Sequence, residues 1–572
     1  LMKLLVANRG EIAIRIIRGA AELGLSTVAV APADDFASLH VVKADESVEL
    51  QGIGTAAYLD IDQVIAAATD TGCDAIHPGY GFLAENAELA RRCTDAGLTF
   101  VGPSPEMLEL FGDKARARKA AVDANVPVIR GIDHAVSLAE AEAFFKALGD
   151  GRDMMIKAAY GGGGRGSRMV ESADDVAATY ERCRSEAELA FGNGDVYVEE
   201  FIREARHVEV QILGDQAGNI VHLYERECSV QRRFQKIIEI APAPALDAGL
   251  RDQILDASVR FAGQVGYTNA GTFEFLVDSS SSDQPFAFIE ANARLQVEHT
   301  VSEEVTGVDV VQTQLRIAQG ESLKDMGLTD DNLSPRGYAI QARVCMESVR
   351  EDGSINPEAG VLTAYSAPSG PGVRTDGFGY AGYETSLMFD SLLAKVIGHS
   401  PSPNFADAIS RTSRALAEFH IEGVDTNIGF LQTILQHPDF ATGDVHTRFI
   451  DEHLMELANA DAQPQFVPNA NLGDGSDLDG FAGARVEDST DPLALFNHDT
   501  QIKSEQFEGK DYGPVTVRAS MPGTIMSVSI KSGDTVTASQ PLAVIETLEA
   551  LKRAIKNGDE TKAILTKLDN LS

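Results

Sequence analysis

The segments GTFEFLV, residues 271–277, and FAFIEANAR, residues 286–294, are two apolar runs joined by a stretch rich in Ser, Asp and Pro. Runs of this kind on either side of a turn signal predict an antiparallel β-hairpin. Glu274 and Glu290 are equally far from its midpoint near residue 282, so they face each other on one side of the ribbon. Two facing carboxylates are destabilising unless a cation joins them. The hairpin therefore predicts a divalent metal site.

The period of two in a strand places Asn292 and Arg294 on the same face as Glu290. Glutamate and asparagine oxygens suit Mg²⁺, which proteins hold by one or two carboxylates and share with substrate phosphates. The guanidinium group adds a fork that can bind an oxyanion. The alternative is a salt-bridged face of a surface hairpin, which explains the arginine but not two glutamates among Phe, Ala and Ile.

A glycine-rich stretch, KAAYGGGGRGSR at residues 157–168, lies between basic side chains. Glycine is costly in regular structure unless bare backbone must approach something closely. Lys157, Arg165 and Arg168 favour a loop that covers an anion such as a phosphate chain, although a flexible surface loop explains the glycines equally well.

The N-terminus predicts an α/β domain with a parallel sheet. Strands are predicted at residues 3–7 and 25–30, and between them Ile12, Ile16, Ala20 and Leu23 follow helical spacing. The loop HPGYG, residues 77–81, follows another apolar run, at a strand end where open α/β sheets bind ligands. A purely structural turn is the alternative.

Two further strands carry charge. In HVEVQIL, residues 207–213, the polar side chains alternate with apolar ones, so one face enters the core and the other can line a cleft. ERECSVQRRFQKIIE, residues 225–239, concentrates Arg226, Arg232, Arg233 and Lys236, which a solvated charged strand would also explain.

Composition limits the class of partner. The chain has 572 residues, 44% of them hydrophobic, and a net charge of −38, which argues against nucleic acid or an anionic membrane as the main partner. Five isolated cysteines and no apolar run of about 20 residues predict reduced thiols and a cytoplasmic location.

The motifs KLLVANRGEIAIRIIR, IHPGYGFLAEN, FGDK, MIKAAYGGGGRGSR, ECSVQRRFQK, GTFEFL, IEANARLQVEH and VTGVD occur in this order. Together they resemble the biotin carboxylase module of biotin-dependent carboxylases, over roughly residues 2–455. The resemblance implies an α/β and α+β multidomain chain with an ATP-grasp fold. The implied parts are a Rossmann-like N-terminal domain (1–113), an ATP-grasp domain (114–330) with a glycine-loop lid (about 132–203), and a biotin carboxylase C-terminal domain (331–455).

The resemblance also implies the site residues and the cofactors ATP, Mg²⁺ or Mn²⁺, and biotin. ATP would be bound by Lys114, Lys157, Gly162, Gly163, Gly164, Glu199, Ile202, His207, Gln231, Glu274 and Glu290, and the metal by Glu274, Glu290 and Asn292. Bicarbonate would be bound by Arg294, Gln296, Val297 and Lys236, with Glu298 as general base and Arg343 stabilising negative charge on the ureido oxygen of biotin. Glu200 and Phe234 depart from the family pattern, which commonly has lysine and histidine there.

The C-terminal part predicts an acidic linker (456–513) and a helical tail (547–572), and between them residues 514–546, with VRASMPGTIMSVSIKSGDTVTASQPLAVIE, resemble the first half of a biotinyl carrier domain. Met526, Val528 and Ile530 alternate as in a strand, and PLAVIE is another strand. Where a carrier would place its biotinylated lysine, the sequence reads ETLEALKR with Glu549, so no attachment lysine is assigned.

The organisation favours an acyl-CoA carboxylase, with pyruvate and urea carboxylases left open. Expected partners are a biotinyl carrier, a carboxyltransferase and further copies of the chain as a homo-oligomer. Two rivals remain: another ATP-grasp ligase that joins a carboxylate to an amine, and a catalytically silent ATP-binding subunit.

Overall fold

The computed structural model describes residues 2–132, 134–149, 151–158, 167–191, 193–278, 281, 284–329, 332–350, 354–458 and 465–466, and the strand residues 524–528 and 543–546. The chain divides into two compact units, residues 1–468 and 469–572. The glycines of the predicted lid loop, nearly all of the linker and the predicted helical tail lie outside the described residues. Within those residues, every helix is too short or too polar to cross a membrane.

The N-terminal part is a parallel five-stranded sheet in the order β3-β2-β1-β4-β5, which confirms the predicted β-α-β opening. Its first strand is buried on both faces because Leu4, Leu5 and Val6 are fully enclosed. The strands are β1 (Lys3–Val6), β2 (Ser26–Pro32), β3 (Glu46–Leu50), β4 (Ala75–His77) and β5 (Thr99–Phe100). The helices are α1 (Gly10–Glu22), α2 (Leu39–Lys43), α3 (Gly54–Tyr58), α4 (Ile61–Asp70), α5 (Ala87–Asp95) and α6 (Pro105–Gly112), with a 3-10 turn at Ala33–Asp35.

A small antiparallel sheet follows, in the order β7-β6-β8. It is built from β6 (Asp153–Ala158), β7 (Ser167–Val170) and β8 (Val196–Phe201). The helices α8 (Leu138–Leu148) and α9 (Val176–Phe191) pack on it, with a 3-10 turn at Ala173–Asp175, whereas α7 (Lys114–Asp123), which precedes them, packs against β13 (Phe286–Asn292) of the large sheet described next. Met154, Ile156 and Val198 belong to its own apolar core.

The largest element is an eight-stranded antiparallel sheet in the order β13-β12-β9-β10-β11-β14-β19-β18. Its strands are β9 (Arg206–Gly214), β10 (Ile220–Arg232), β11 (Gln235–Ala241), β12 (Asn269–Val277), β13 (Phe286–Asn292), β14 (Tyr338–Cys345), β18 (Val373–Gly377) and β19 (Leu392–Ser400). The helices α10 (Ala248–Val265), α11 (His299–Thr306) and α12 (Val310–Ala318) accompany it. In its core Phe288 packs edge to face against Phe261 and Phe273, an arrangement that aromatic rings prefer, and the rings of Phe261 and Phe273 are tilted by 41° to each other.

The rest of the first unit packs on the far end of that sheet. It comprises β15 (Glu347–Val349), β16 (Ile355–Pro357), β17 (Ala364–Ser366), β20 (His420–Glu422), α13 (Phe405–Glu418), α14 (Ile428–Gln436), α15 (Pro438–Thr442) and α16 (Phe449–Ala458). The last helix runs to Ala458 and so overlaps the start of the predicted linker at residue 456.

In the second unit, β21 (Thr524–Val528) and β22 (Ala543–Glu546) pair antiparallel, with Ile525 opposite Ile545. Both lie where the alternation pattern predicts strands.

Candidate active site

One cavity of about 1290 Å³ brings the predicted residues together. It is lined by side chains of the small sheet, the large sheet and the N-terminal part. All predicted site residues that the structure describes are on its wall: Lys114, Lys157, Glu199, Ile202, His207, Gln231, Lys236, Glu274, Glu290, Asn292, Arg294, Gln296, Val297, Glu298 and Arg343. Gly162, Gly163 and Gly164 lie outside the described residues.

The hairpin pairs the two predicted glutamates, although its register shifts by one residue between Glu274 and Phe275, so that the predicted symmetry about residue 282 holds for residues 272–274 and not nearer the turn. Glu274 on β12 is directly opposite Glu290 on β13, and Thr272 is opposite Asn292. Burial and the charge of Glu274 both raise the pKa of Glu290 above its ordinary value. Asn292 Nδ2 donates to Glu274 Oε1 at 2.7 Å, so the amide lies beside the pair. Two facing carboxylates with an amide beside one of them, the ionised form of one disfavoured by the charge of the other, are donors that suit a divalent cation.

Glu274 also has partners on the side away from Glu290. His207 Nε2 donates to its Oε2 at 2.7 Å, and Gln231 Nε2 donates to His207 Nδ1 at 3.2 Å, which sets the imidazole proton on Nε2. Burial disfavours the charged form of Glu274, but Lys236 and His207 outweigh it and hold its pKa well below the ordinary value. Glu274 therefore stays ionised.

Lys236 lies at the centre of three carboxylates. Its Nζ is 2.5 Å from Glu209 Oε2, 2.7 Å from Glu298 Oε1 and 3.1 Å from Glu274 Oε1. Burial disfavours the ammonium ion, but these three charges raise its pKa well above the ordinary value. The lysine is thus a fixed cation that joins the Glu274 carboxylate to Glu298.

Glu298 is 1% exposed and stays ionised. Burial acts to raise its pKa, but Lys236 and Arg343 lower the pKa well below the ordinary value. Arg343 Nη2 donates to Glu298 Oε2 at 3.1 Å, and its Nε donates to Glu239 Oε1 at 2.6 Å. An ionised carboxylate beside two cations can accept a proton from an anionic substrate that those cations bind.

Arg294 forms a clamp next to this carboxylate. Its Nη1 donates to Gln296 Oε1 at 2.9 Å, its Nη2 to Asn292 Oδ1 at 3.0 Å, and its Nε to Glu85 Oε2 at 3.0 Å. The carbonyl of Val297 accepts from Lys395 Nζ at 3.0 Å, which anchors the segment between the clamp and Glu298. The clamp presents an oriented guanidinium to an oxyanion.

The wall toward the small sheet holds the predicted nucleotide residues. Lys157 Nζ donates to Glu199 Oε2 at 2.5 Å, and Lys114 is the first residue of α7, after the N-cap Asp113. Ile202 follows directly after β8. This wall combines apolar surface with cations, as a nucleotide requires.

Three buried charges behind the cavity were not predicted as site residues. Arg226 is fully buried, and its Nε donates to Glu209 Oε1 at 2.5 Å while its Nη1 donates to Gln211 Oε1 at 2.8 Å. Glu209 holds Lys236, and Glu239 holds Arg343. The alternation in HVEVQIL already pointed to a polar face, but the solvated-strand alternative for Arg226 is wrong.

Arg118 is a further cation on the wall that the sequence reasoning missed. It lies four residues after Lys114, and that spacing on a helix was the available signal.

The two departures from the family pattern have distinct surroundings. The carboxylate of Glu200 accepts from Arg130 Nε at 2.7 Å and from Arg152 Nη1 at 2.5 Å, so two arginines neutralise it. Phe234 lies in the β10–β11 turn with φ +66° and is 65% exposed. It lines the cavity.

Comparison with known protein families gives three matches along the chain. They are "Biotin carboxylase, N-terminal domain" over residues 1–108, "Carbamoyl-phosphate synthase L chain, ATP binding domain" over residues 113–326, and "Biotin carboxylase C-terminal domain" over residues 341–452.

Among curated proteins, the chain is 49% identical over 470 residues to mitochondrial pyruvate carboxylase of Mus musculus, covering 81% of this chain and 39% of that protein. The chain thus spans about two fifths of the length of the curated relatives it matches.

Among solved structures, the biotin carboxylase domain dimer of Hydrogenobacter thermophilus 2-oxoglutarate carboxylase, in complex with MgADP, ADP and bicarbonate, is 40% identical. It has a TM-score of 0.75, covering 80% of this chain and 100% of that one. A single-chain, multi-domain long-chain acyl-CoA carboxylase is also 40% identical, with a TM-score of 0.71, covering 95% of this chain and 47% of that one.

Proposed function

Because the chain belongs to the biotin carboxylase family, we propose that it catalyses the ATP- and bicarbonate-dependent carboxylation of biotin on a carrier domain. The observation that carries this proposal is the position of Glu298. It is an ionised buried carboxylate between Lys236 and Arg343, in the same cavity as the Arg294 clamp and the Glu274–Glu290 pair.

Bicarbonate is a poor nucleophile and must lose its proton as an oxygen attacks the γ-phosphorus of ATP. Arg294, Gln296 and the backbone at Val297 bind the anion, and Glu298 accepts the proton. The bond from the γ-phosphorus to the ADP oxygen breaks, and carboxyphosphate and ADP form. Lys236, already in contact with Glu298, stabilises the negative charge on this side of the cavity.

The fit of Glu274, Glu290 and Asn292 to a divalent cation assigns them to Mg²⁺ or Mn²⁺. When bound, the cation neutralises phosphate charge on the nucleotide. The proposed ATP-binding residues on the wall of the cavity are Lys114, Lys157, Glu199, Ile202, His207 and Gln231. Gly162, Gly163 and Gly164 stay predicted ATP contacts, outside the described residues.

Carboxyphosphate would then break its C–O bond to give CO₂ and inorganic phosphate. The ureido nitrogen of biotin, entering on its carrier, would lose its proton to that phosphate and form the new bond to the carbon of CO₂. Arg343 Nη2 is 3.1 Å from Glu298 Oε2, so its guanidinium can place positive charge next to the ureido oxygen while Glu298 holds the proton. No attachment lysine is assigned in this chain.

The rival functions fit these observations less well. A ligase that joins a carboxylate to an amine would use the same metal pair but has no need for the clamp and Glu298 together. A silent ATP-binding subunit would be expected to lose Glu298, Lys236 or Arg343, and all three are present in contact with one another.

Pyruvate is the acceptor that we propose for the second half-reaction, in place of the acyl-CoA expected from the domain order. The support is the set of pyruvate carboxylases from mouse, human and nematode at 47 to 49% identity. Acyl-CoA is the second candidate because the long-chain acyl-CoA carboxylase matches 95% of this chain. A homo-oligomer, a carboxyltransferase partner and a cytoplasmic location stay predictions.

The test is ATP hydrolysis by the purified protein with Mg²⁺, measured with and without bicarbonate and with and without free biotin. The proposal expects turnover that requires bicarbonate and rises with biotin. Hydrolysis independent of both would contradict it. For the acceptor, fixation of labelled bicarbonate is compared between pyruvate and acyl-CoA in the presence of the carboxyltransferase and a biotinylated carrier. Label in acyl-CoA alone would exclude pyruvate.

A further inference from the structure

Helix α7 (Lys114–Asp123) is unusually basic for so acidic a chain. It carries Lys114, Arg116, Arg118 and Lys119, whereas the whole protein has a net charge of −38. Residues four apart lie on one face of a helix, and residues two apart lie on nearly opposite faces. Lys114 and Arg118 accordingly both line the cavity, while Arg116 is exposed and lies outside the cavity wall.

Arg118 is half-buried, and its guanidinium makes no hydrogen bond or ion pair with any residue in the described part of the chain. Other cations of the same wall are engaged: Lys157 with Glu199, and Arg294 with Glu85. A partly desolvated guanidinium that lacks an anion is costly, because its charge loses water without gaining a partner.

The surroundings show which side of the cavity Arg118 faces. Burial and the charge of Glu199 raise the pKa of Tyr197 to about 12, and the positive charges of Lys157 and Arg118 act against that rise. Tyr197 on β8 is opposite Lys157 on β6. Glu290 acts on the same tyrosine, and Lys114 acts on Glu290. Helix α7 packs against β13, the strand of Glu290, and Lys114, Arg118 and Lys157 all line the same cavity as Tyr197 and Glu290.

We propose that Arg118 binds the phosphate chain of the nucleotide, as a third cation beside Lys114 and Lys157. This inference rests on the proposed nucleotide site and adds a residue to it. The planar guanidinium can give two parallel hydrogen bonds to phosphate oxygens, which the two lysines cannot. A chain of this acidity repels polyphosphate, so local cations are needed to bind it.

The experiment measures the binding of MgADP and of adenosine by calorimetry in wild type, Arg118→Gln, Arg118→Lys and the matched control Arg116→Gln. Loss of one charge-assisted contact predicts that Arg118→Gln weakens MgADP binding about tenfold to a hundredfold. Adenosine, which has no phosphate, binds all four proteins alike. Arg118→Lys retains part of the affinity, and Arg116→Gln matches wild type.

The proposal is overturned if Arg118→Gln binds MgADP as tightly as Arg116→Gln does, or if adenosine and MgADP lose affinity equally. Equal weakening of MgADP binding in Arg118→Gln and Arg116→Gln would also overturn it, because the affinity would then depend on the total positive charge of α7 and not on a contact made by Arg118. Binding needs no turnover, so the test keeps its meaning even if bicarbonate-dependent hydrolysis is absent. If Arg118→Gln binds MgADP as tightly as wild type while wild type shows bicarbonate-dependent turnover, the role of Arg118 is refuted and the proposed function is not.

Discussion

The variant Glu290→Gln distinguishes two interpretations of the facing glutamates: a site that binds a divalent cation, and a pair that has no cation to bind. Glu290 lies opposite Glu274, and two like charges across a ribbon cost up to about 1 kcal/mol. Without metal, Glu290→Gln should therefore not lower the free energy of unfolding at neutral pH and should raise it by up to about 1 kcal/mol. An exposed glutamate away from the site, Glu321, gives the control variant Glu321→Gln.

The pH dependence of this gain has a definite sign. Burial and Glu274 raise the pKa of Glu290 in the folded protein, so folding favours its neutral form. The contribution of Glu290 to the stability of wild type is present at low pH, where the side chain is neutral, and is lost as the pH rises through the raised pKa. The advantage of the variant over wild type should therefore be full at neutral pH and should vanish as the pH falls and Glu290 becomes protonated.

With Mg²⁺ and nucleotide bound, wild type is expected to be more stable than Glu290→Gln. At a concentration of Mg-nucleotide one hundred times its Kd, ligand binding stabilises wild type by about 2.7 kcal/mol. Glu290→Gln removes one of two carboxylate ligands and should lose most of the part that depends on Mg²⁺. Denaturant unfolding with ADP, in the presence of Mg²⁺ or of a chelator, measures both effects. A variant that is destabilised without metal yet gains as much from MgADP as wild type would refute the cation site.

Two further predictions concern single carboxylates. Glu298→Gln should reduce bicarbonate-dependent ATP hydrolysis by about two to four orders of magnitude, which is the usual contribution of a general base. Its affinity for MgATP should stay close to that of wild type. Loss of nucleotide affinity in a binding titration would mean that the role of Glu298 is misassigned. Glu303 lies 2.9 Å from Arg15 and 2.8 Å from Arg374, and although burial opposes its charge, Arg15, His299 and Arg374 lower its pKa from 4.5 to about 2. The lowered pKa of Glu303 contributes about 3 kcal/mol to the free energy of unfolding, which is present above the ordinary glutamate pKa and is lost as the pH falls toward 2. Urea unfolding should therefore show the largest loss of stability in Glu303→Gln at neutral pH, and a smaller difference from wild type in acid. A difference that stays constant across pH would contradict this.

The metal pair could be predicted from the sequence because a hairpin is local. The turn signal and the period of two bring Glu274 and Glu290 to the same part of the ribbon, but their direct pairing also depends on a register shift of one residue between Glu274 and Phe275, which the sequence does not indicate. The pairing of β1 with β2 is local as well, because alternating elements predict a parallel sheet.

The charged layer behind the cavity could not be predicted in this way. Glu209 on β9 meets Arg226 on β10 and Lys236 on β11 across three consecutive strands. Arg226 is enclosed, however, by Thr272 on β12 and Ser302 on α11, which come 46 and 76 residues later in the chain. From the sequence alone, Arg226 on a strand next to other basic residues is equally compatible with solvent. Its burial follows only from the order of strands in the sheet.

Glu200 illustrates a second limit. Against the family pattern it reverses a charge, and nothing local in the sequence indicates what balances it. Arg130 comes from 70 residues earlier and Arg152 from 48 residues earlier, and both donate to this one carboxylate. Compensation of this kind is visible only when the chain is folded.

The most direct measurement uses bicarbonate labelled with a heavy oxygen isotope and follows the label during ATP cleavage. If the Arg294 clamp and Glu298 direct a bicarbonate oxygen onto the γ-phosphorus, each inorganic phosphate released carries one oxygen from bicarbonate. Phosphate whose new oxygen comes from water, with none from bicarbonate, would contradict the proposed reaction.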